Sequence, residues 1–383
     1  MNTAVIAEYN PFHNGHALHL EKTRALTGCD NIIVIMSGNF VQRGEPAVFD
    51  KHTRTAQALK NGADMVLELP VEYACGAADV FAGAAVGILE KSGIADVLCF
   101  GSESGSIADM EAAAELFAHE TEEFKALISA FSAEGLSYPA AREAAAAKIL
   151  KADLSFLSQP NNILGLEYLT AIKRINAKIC PFTVKRVQNG YNDKTLSGEI
   201  SSAAAIRQAL LSGSIPKQAL PPNTICDYDG SALPVLDGYS DIFAYILRTT
   251  PAERLAEIAD MTEGLENRFL KYARLKNISD ILAAVKTKRY TYTKLQRAVL
   301  HCILGITKAA QQAPPAYIRV LGVRKEKLPL LSELTQKSSL PVITRVKDNE
   351  SLLSREIAAA DLYHLLTDGE TGSEYSRGMI VGQ

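Results

Sequence analysis

The segment TAVIAEYNPFHNGHALHL, Thr3 to Leu20, decides the fold. Thr3 to Glu8 is a short apolar run that breaks at Tyr9-Asn10-Pro11. A small-residue loop, His13-Asn14-Gly15-His16, follows. From Ala17 the pattern turns helical, with Leu18, Leu20 and Leu26 set among His19, Glu21, Lys22 and Arg24. This order predicts strand, glycine-containing turn and helix. A loop feeding a helix N-terminus offers unpaired backbone N–H groups and the positive end of the helix dipole, which suits a phosphate. Histidines three residues apart at that point place imidazole donors on one anion.

Outward from this unit the rhythm continues. Asn31–Met36 and Met65–Leu69 are continuous apolar runs of the kind buried parallel strands show, and Asp96–Phe100 is a further strand. Between them Asp50–Asn61 and Phe81–Lys91 read as helices, stopped at Gly62 and Gly93. Strand alternating with helix predicts a parallel sheet covered on both faces. Ligands of such sheets sit at the carboxyl ends of the strands, where the loops His13–His16, Gly38–Pro46 and Gly101–Gly105 fall. Residues 107–152 are Ala- and Glu-rich and helical, with a break near Gly135–Pro139. Ile163–Asn176 is a helix, Pro181–Val184 a strand, and Lys185–Asp193 a polar loop. Ala204–Leu211 is a helix whose start is capped by serines. The Pro-rich stretch Ile215–Pro222 reads as a linker, after which the chain is largely helical. Ile318–Leu321 and Leu340–Ile343 are short apolar runs with strand character, and Leu352–His364 is a helix.

Composition narrows the class. The 383 residues are 47% hydrophobic and 22% charged, with net charge −3, so a basic surface has to be local. The six cysteines are scattered and form no CxxC pair, which suits reduced thiols rather than a zinc site. No stretch approaches the roughly 20 uninterrupted apolar residues of a membrane span. No signal-peptide pattern opens the chain, and a cytoplasmic protein with no membrane partner is expected.

His13-Asn14-Gly15-His16 fits the His/Thr-x-Gly-His signature of the nucleotidyltransferase superfamily. Nucleotidyl transfer at the α-phosphate of ATP accumulates negative charge on phosphoryl oxygens and on the departing pyrophosphate, and preorganised donors stabilise it. The alternatives for His13 and His16 are a turn residue and a helix-start residue bonding its own loop. A metal pair at this spacing lacks a third ligand. The second half of such a site is a Ser-rich helix start carrying a basic residue. Ile200-Ser201-Ser202-Ala203-Ala204-Ala205-Ile206-Arg207 is similar to that superfamily's Ile-Ser-Ser-Thr-x-Ile-Arg segment, with Ala in place of Thr. A capped surface helix with a solvated Arg207 is the other reading.

Glu8–His16, Ser37–Pro46, Gly101-Ser102-Glu103, Pro160–Leu164 and Val285–Tyr290 together resemble the tRNA(Met) cytidine acetate ligases, from the N-terminus to at least Gly305. The resemblance implies a doubly wound parallel-sheet α/β nucleotidyltransferase (HUP-like) domain over residues 1–214. A mainly helical tRNA-binding domain over 215–383 follows it. It implies a ligase that makes acetyl-adenylate from ATP and acetate, releases pyrophosphate, and acetylates N4 of the wobble cytidine of elongator tRNA(Met). Mg²⁺ is expected to accompany ATP.

By this resemblance His13, His16, Ser201 and Ser202 are the catalytic set. ATP contacts fall on Ala7, Glu8, Tyr9, Asn10, Pro11, Phe12, His13, Asn14, Gly15, His16, Ala17, Leu18, His19 and Leu20, and on Gly101, Asn162 and Arg186. Gly101 lets a base or ribose approach the backbone. Asn162 either reads a purine edge or caps its helix. Arg186 either forks onto a phosphate or is a surface arginine. Gln42, Arg43 and Glu45 are expected near the acceptor or the leaving group.

A local basic stretch completes the picture. Lys271, Arg274, Lys276, Lys286, Lys288, Arg289, Lys294 and Arg297 face only Asp280, with Tyr290 and Tyr292 inside. Lys286, Lys288, Arg289, Tyr290, Lys294 and Arg297 are the expected tRNA contacts, through phosphate neutralisation and stacking on unpaired bases. A solvated helix face with the tyrosines packed beneath is the alternative. Two other functions share parts of this pattern: a small-molecule nucleotidyltransferase with no RNA acceptor, and a nucleotide-sensing RNA-binding protein with no turnover.

Overall fold

The computed structural model describes residues 1–186, 198–228, 230, 233–367 and 369–382. Residues 187–193 of the expected polar loop lie outside the described residues. The strands are β1 (Asn2–Ala7), β2 (Asn31–Ser37), the short pair β3 (Phe40–Val41) and β4 (Glu45–Pro46), β5 (Met65–Leu69), β6 (Val97–Ser102), β7 (Cys180–Lys185), β8 (Ile318–Arg324), β9 (Val342–Ile343) and β10 (Ile380–Gly382). The main sheet runs β10-β8-β5-β2-β1-β6-β7, with β9 beside β8. β5-β2-β1-β6-β7 is parallel throughout: β2 and β5 are added on one side of β1, and β6 and β7 on the other. That is the switch point where α/β sheets open a crevice for ligands.

Both faces are covered, which explains the unbroken apolar runs. Ile33, Ile35 and Leu67 point into one core, with Phe81, Val86 and Leu89 of the Ala78–Ser92 helix and Leu166 and Leu169 of the Pro160–Arg174 helix. Val34, Met36 and Val66 point the other way, toward Leu20 of the Asn14–Thr27 helix and Leu59 of the Lys51–Lys60 helix. The alternation is the period of two expected of strands. The helical stretch 107–152 divides into three helices, Ala108–Ala118, Glu122–Ala133 and Tyr138–Leu150.

The division at 214/215 is corrected by the sheet. Residues 236–304 do form a helical unit around Phe243, Phe269, Leu282, Leu295 and Val299. The chain then returns, and β8 joins β5 antiparallel, with Val66 opposite Gly322. β10 extends the sheet parallel to β8. The segment after 304 therefore belongs to the sheet, and it contains a helix, Leu328–Lys337, absent from the sequence reading.

Buried charge fastens this return. Lys51 Nζ meets Glu68 Oε1 at 2.8 Å and Glu374 Oε2 at 3.2 Å, and Arg319 meets Glu68 at 3.2 Å and Glu374 at 2.5 Å. All four side chains are within 3% of full burial, and two cations balance two anions. Burial alone would raise the Glu374 carboxyl, but Lys51, His52 and Arg319 outweigh it and hold the group well below the usual carboxylate range.

A third buried cation works differently. Arg54 is fully buried, and no carboxylate among the described residues pairs with it at salt-bridge distance. Its guanidinium donates instead to the carbonyls of Phe49 (2.9 Å), Glu8 (2.6 Å), Ser37 (3.0 Å) and Gly38. One side chain thus ties the carboxyl ends of β1 and β2 together.

Arg319→Met should cost about 3–5 kcal/mol in a denaturant titration, because it leaves Glu68 and Glu374 buried without a full set of partners. Glu374 has a depressed folded pKa, so its contribution is full above the unfolded carboxylate value of about 4.3 and is lost as pH falls. The melting temperature of the wild type should therefore drop more steeply below pH ~4.5 than that of Glu374→Gln. Parallel acid profiles for the two proteins would refute the assignment.

Candidate active site

A cavity of about 740 Å³ opens over the ends of β1, β6 and β7. The Asn14–Thr27 helix starts at its edge, with His13 as cap residue in extended conformation. Gly15 N–H donates to His13 Nδ1 at 3.0 Å, and His13 N–H donates to His16 Nδ1 at 3.3 Å. The rings stack at 3.7 Å. With both Nδ1 atoms accepting, each neutral ring carries its proton on Nε2. His16 and Ala17 N–H both donate to His13 O, at 2.8 and 3.2 Å. These loop N–H groups are therefore consumed internally, and the imidazoles, rather than an open helix end, are the donors offered to a ligand. Gly15 is needed for this: a Cβ there would sit 2.9 Å from His13 Cε1.

The rings are held neutral. Burial, reinforced by Arg186 and Arg207, pushes His13 down to about 3. Burial, with His13 and Arg186, pushes His16 well below its ordinary value. Burial, Arg186 and Lys22 lower His19 to about 4, and its Nε2 is buried without a hydrogen-bond partner at the cavity wall. Lys22, Arg43, Lys185, Arg186 and Arg207 line the cavity against Glu8 and Glu103. An excess of cations around neutral N–H donors suits a polyphosphate.

The second motif arrives where the sequence placed it. Ser202 caps the Ala203–Leu211 helix by accepting from Ala205 N–H at 3.1 Å, and Ser201 Oγ donates to Gly198 O at 3.1 Å. Both serines line the cavity. Arg207 is half-buried and donates to Asn10 O at 2.8 Å. Asn14 answers from the first motif, donating to Glu199 O at 3.0 Å and Gln218 O at 2.8 Å.

The expected ATP contacts divide between the cavity wall and other places in the fold. Ala7, Glu8, Tyr9, Asn10, His13, Gly15, His16, Leu18, His19, Gly101 and Arg186 line the cavity. Pro11, Phe12, Asn14, Ala17 and Leu20 do not; Phe12 and Leu20 are core residues, and Asn14 is the stitch just described. Asn162 is also turned away. Its Oδ1 accepts from Glu103 and Ser104 N–H at 2.9 and 3.2 Å, and its Nδ2 donates to Phe156 O at 2.8 Å. Glu103 in turn accepts from Asn161 Nδ2 at 2.6 Å and Asn162 N–H at 2.9 Å, capping the helix. Asn161, the neighbour sequence reasoning passed over, faces the cavity and accepts from Arg186 Nη1 at 3.2 Å. Gly101 admits the Arg186 side chain, whose Cγ would lie 3.1 Å from a Cβ.

The basic stretch also divides. Lys286, Lys288 and Arg289 are exposed, as are Lys271, Arg274, Lys276 and Tyr292. Tyr290 is buried, with its hydroxyl donating to Glu263 O at 3.3 Å. Lys294 donates to Thr262 at 2.8 Å, and Arg297, buried, binds Asp260 at 2.8 and 3.2 Å. Tyr290 and Arg297 are thus packed inside the helical unit, while Lys294 is half-buried at its edge.

A doubly wound sheet with paired histidines at the first helix start defines a HIGH nucleotidyl transferase, and the family model of that description matches residues 1–377. Similar proteins narrow this. The chain is 41% identical to the tRNA(Met) cytidine acetate ligase of Caldicellulosiruptor saccharolyticus over 94% of this chain and 93% of that one. It is 36% identical to that of Acetivibrio thermocellus, over 98% and 99%. Crystal structures of Thermotoga maritima TmcAL, apo and bound with alpha-thio ATP, superpose with TM-scores of 0.93 and 0.91 at 29% identity, covering both chains fully. The chain belongs to the tRNA(Met) cytidine acetate ligase family.

Gly15→Ala should displace the His13 ring and lower ATP-dependent pyrophosphate release about tenfold or more, with little change in melting temperature. Because the buried histidines are already neutral, that activity should show no ionisation near pH 6.5 of their making. Stability should instead rise with pH between about 3 and 6.5, where the unfolded chain binds protons the buried rings refuse. An activity inflection near pH 6.5 that His16→Ala abolishes would overturn the neutral assignment.

Proposed function

We propose that the chain is an ATP-dependent ligase that activates acetate as acetyl-adenylate and acetylates N4 of the wobble cytidine of elongator tRNA(Met). The observation carrying this reading is the pair of Nε2–H groups, fixed by their Nδ1 bonds, facing a cation-rich cavity at the β1/β6 switch point. An acetate oxygen attacks the α-phosphorus, and the bond to the β-phosphate oxygen breaks. Negative charge grows on the phosphoryl oxygens and on pyrophosphate. His13 and His16 donate to it without reorganising, and Arg186, Arg207 and Lys22 neutralise it. Acetate is ionised at neutral pH and needs no base for this step. Cytosine N4 then attacks the acetyl carbonyl, AMP departs, and N4 loses a proton.

Among the described residues no group of three or more His, Cys, Asp or Glu side chains could hold a metal ion. Mg²⁺ is proposed to enter on the ATP phosphates, as it does where substrate oxygens supply most ligands. Among the described residues no helix is long and apolar enough to cross a membrane. The exposed cations Lys286, Lys288 and Arg289, continued by Lys271, Arg274 and Lys276, are the proposed RNA surface.

Label from acetate should appear in tRNA, with pyrophosphate released in step with acetate. Absence of acetate-dependent pyrophosphate would reject the enzyme reading, and pyrophosphate without label in tRNA would leave a small-molecule nucleotidyltransferase. His16→Ala should abolish most pyrophosphate release at nearly unchanged tRNA affinity. Joint Lys288→Ala and Arg289→Ala should weaken tRNA binding and reduce the salt slope by about 2; an unchanged slope would return these residues to the solvated surface.

A further inference from the structure

The Ser37–Pro46 motif is absorbed only in part by nucleotide binding. Its tip is a hairpin in which Phe40 faces Pro46 and Val41 faces Glu45. Gly44 N–H closes the turn on Val41 O at 2.9 Å. The hairpin has two sides. On one, Gln42 N–H donates to Glu8 Oε1 at 2.8 Å, and Gln42 and Arg43 line the nucleotide cavity. On the other, the hairpin is pressed against the Tyr292–Leu304 helix of the helical unit. Gly44 has φ +79°, and a Cβ there would lie 2.5 Å from the backbone nitrogen of Arg297 and 2.6 Å from the carbonyl carbon of Gln296. Next to that contact, Gln296 Nε2 donates to Glu45 Oε1 at 2.8 Å.

The surroundings make this a fixed bridge. Phe40 lies in the core of the helical unit, with ring centres 6.2 Å from both Tyr239 and Tyr363. Tyr363 Oη donates to Ala47 O at 3.0 Å. On the sheet side Val48 N–H donates to Asn10 Oδ1 and Lys51 N–H to Asn39 Oδ1, both at 2.8 Å. The same helix is set from behind by Arg297 on Asp260 and by His301 Nε2 on Cys75 O at 3.0 Å. It begins at Tyr292, three residues after Arg289, the last of the exposed cations Lys286, Lys288 and Arg289. The hairpin therefore contacts the adenylating cavity with one side and, with the other, the helix that follows the proposed RNA surface.

We propose that the Phe40–Pro46 hairpin sets the acyl acceptor against the adenylate, and that Gln296, through its bond to Glu45, is the positioning residue that registers the hairpin to the helical unit. This rests on the acetate-ligase reading. An RNA held on the helical unit reaches the reacting acyl group at a distance set by this contact. Activation of acetate, which involves no RNA, does not depend on it. Gln296 and Glu45 do not line the nucleotide cavity; Gln296 acts through Glu45 on how the hairpin meets the helical unit.

The test separates the two half-reactions in the full chain. Gln296→Leu keeps the size of the side chain and removes the donor. Acetate-dependent ATP–pyrophosphate exchange should stay within about twofold of wild type, while single-turnover transfer from acetyl-adenylate to tRNA falls about tenfold, the scale of one charge-assisted hydrogen bond. tRNA affinity should be unchanged. The exchanged pair E45Q/Q296E restores an amide–carboxylate bond in the opposite sense and should recover transfer. Equal loss in both half-reactions, undiminished transfer in Gln296→Leu, or failure of the exchanged pair to recover transfer would each overturn the proposal. Absence of acetate-dependent exchange in the wild type would overturn the underlying ligase reading instead.

Discussion

The site depends on one buried guanidinium. Arg54 reaches from the Lys51–Lys60 helix to the carbonyls of Glu8, Ser37 and Gly38, where β1 and β2 end and the chain has to diverge. Carbonyls at strand ends lose their ladder partners, and burying them unpaired is costly. Arg54 satisfies them together and fixes how the β1 exit and the β2 exit lie relative to each other. From the first exit hang Glu8, Asn10 and the histidine loop; from the second, the hairpin. A lysine, with a point charge in place of a planar fork, does not reproduce this geometry.

On that base, segments far apart in the chain are joined by short polar bonds. Asn14 holds the 199 and 218 carbonyls, Arg207 holds Asn10, and the cavity closes between them. Asn14 does no chemistry in the proposed mechanism; its bonds, and the bond that Arg207 spares for Asn10, fix where His13, His16, Ser201 and Ser202 stand. Uncharged imidazoles then serve in place of charged ones, since burial and neighbouring cations both favour the neutral ring.

The parallel core was legible because burial on both faces forces apolar runs, and 31–36 and 65–69 are such runs. The histidine and serine motifs were legible because each sits at a helix start whose geometry the sequence signals. What was not legible depends on partners distant in sequence. β8 reads as an apolar run, but its antiparallel place beside β5 is decided by Arg319 meeting Glu68 and Glu374. Asn161 and Asn162 are alike as a pair, and only the position of Glu103 decides which amide faces the cavity. Arg297 reads as part of a basic surface until Asp260 is placed beside it.

The antiparallel strand β8 has a consequence for biosynthesis. β5 is buried along its whole length and β8 covers one of its two edges. Translation delivers residues 65–69 long before residues 318–324. Until then the nascent chain carries an apolar strand with an open row of N–H and C=O groups, a template for pairing with other chains. The helical unit is synthesised within that interval. Its folding rate therefore bears on how long the vulnerable edge stays open, and the enzyme's yield in the cell is tied to a region that makes no part of the edge itself.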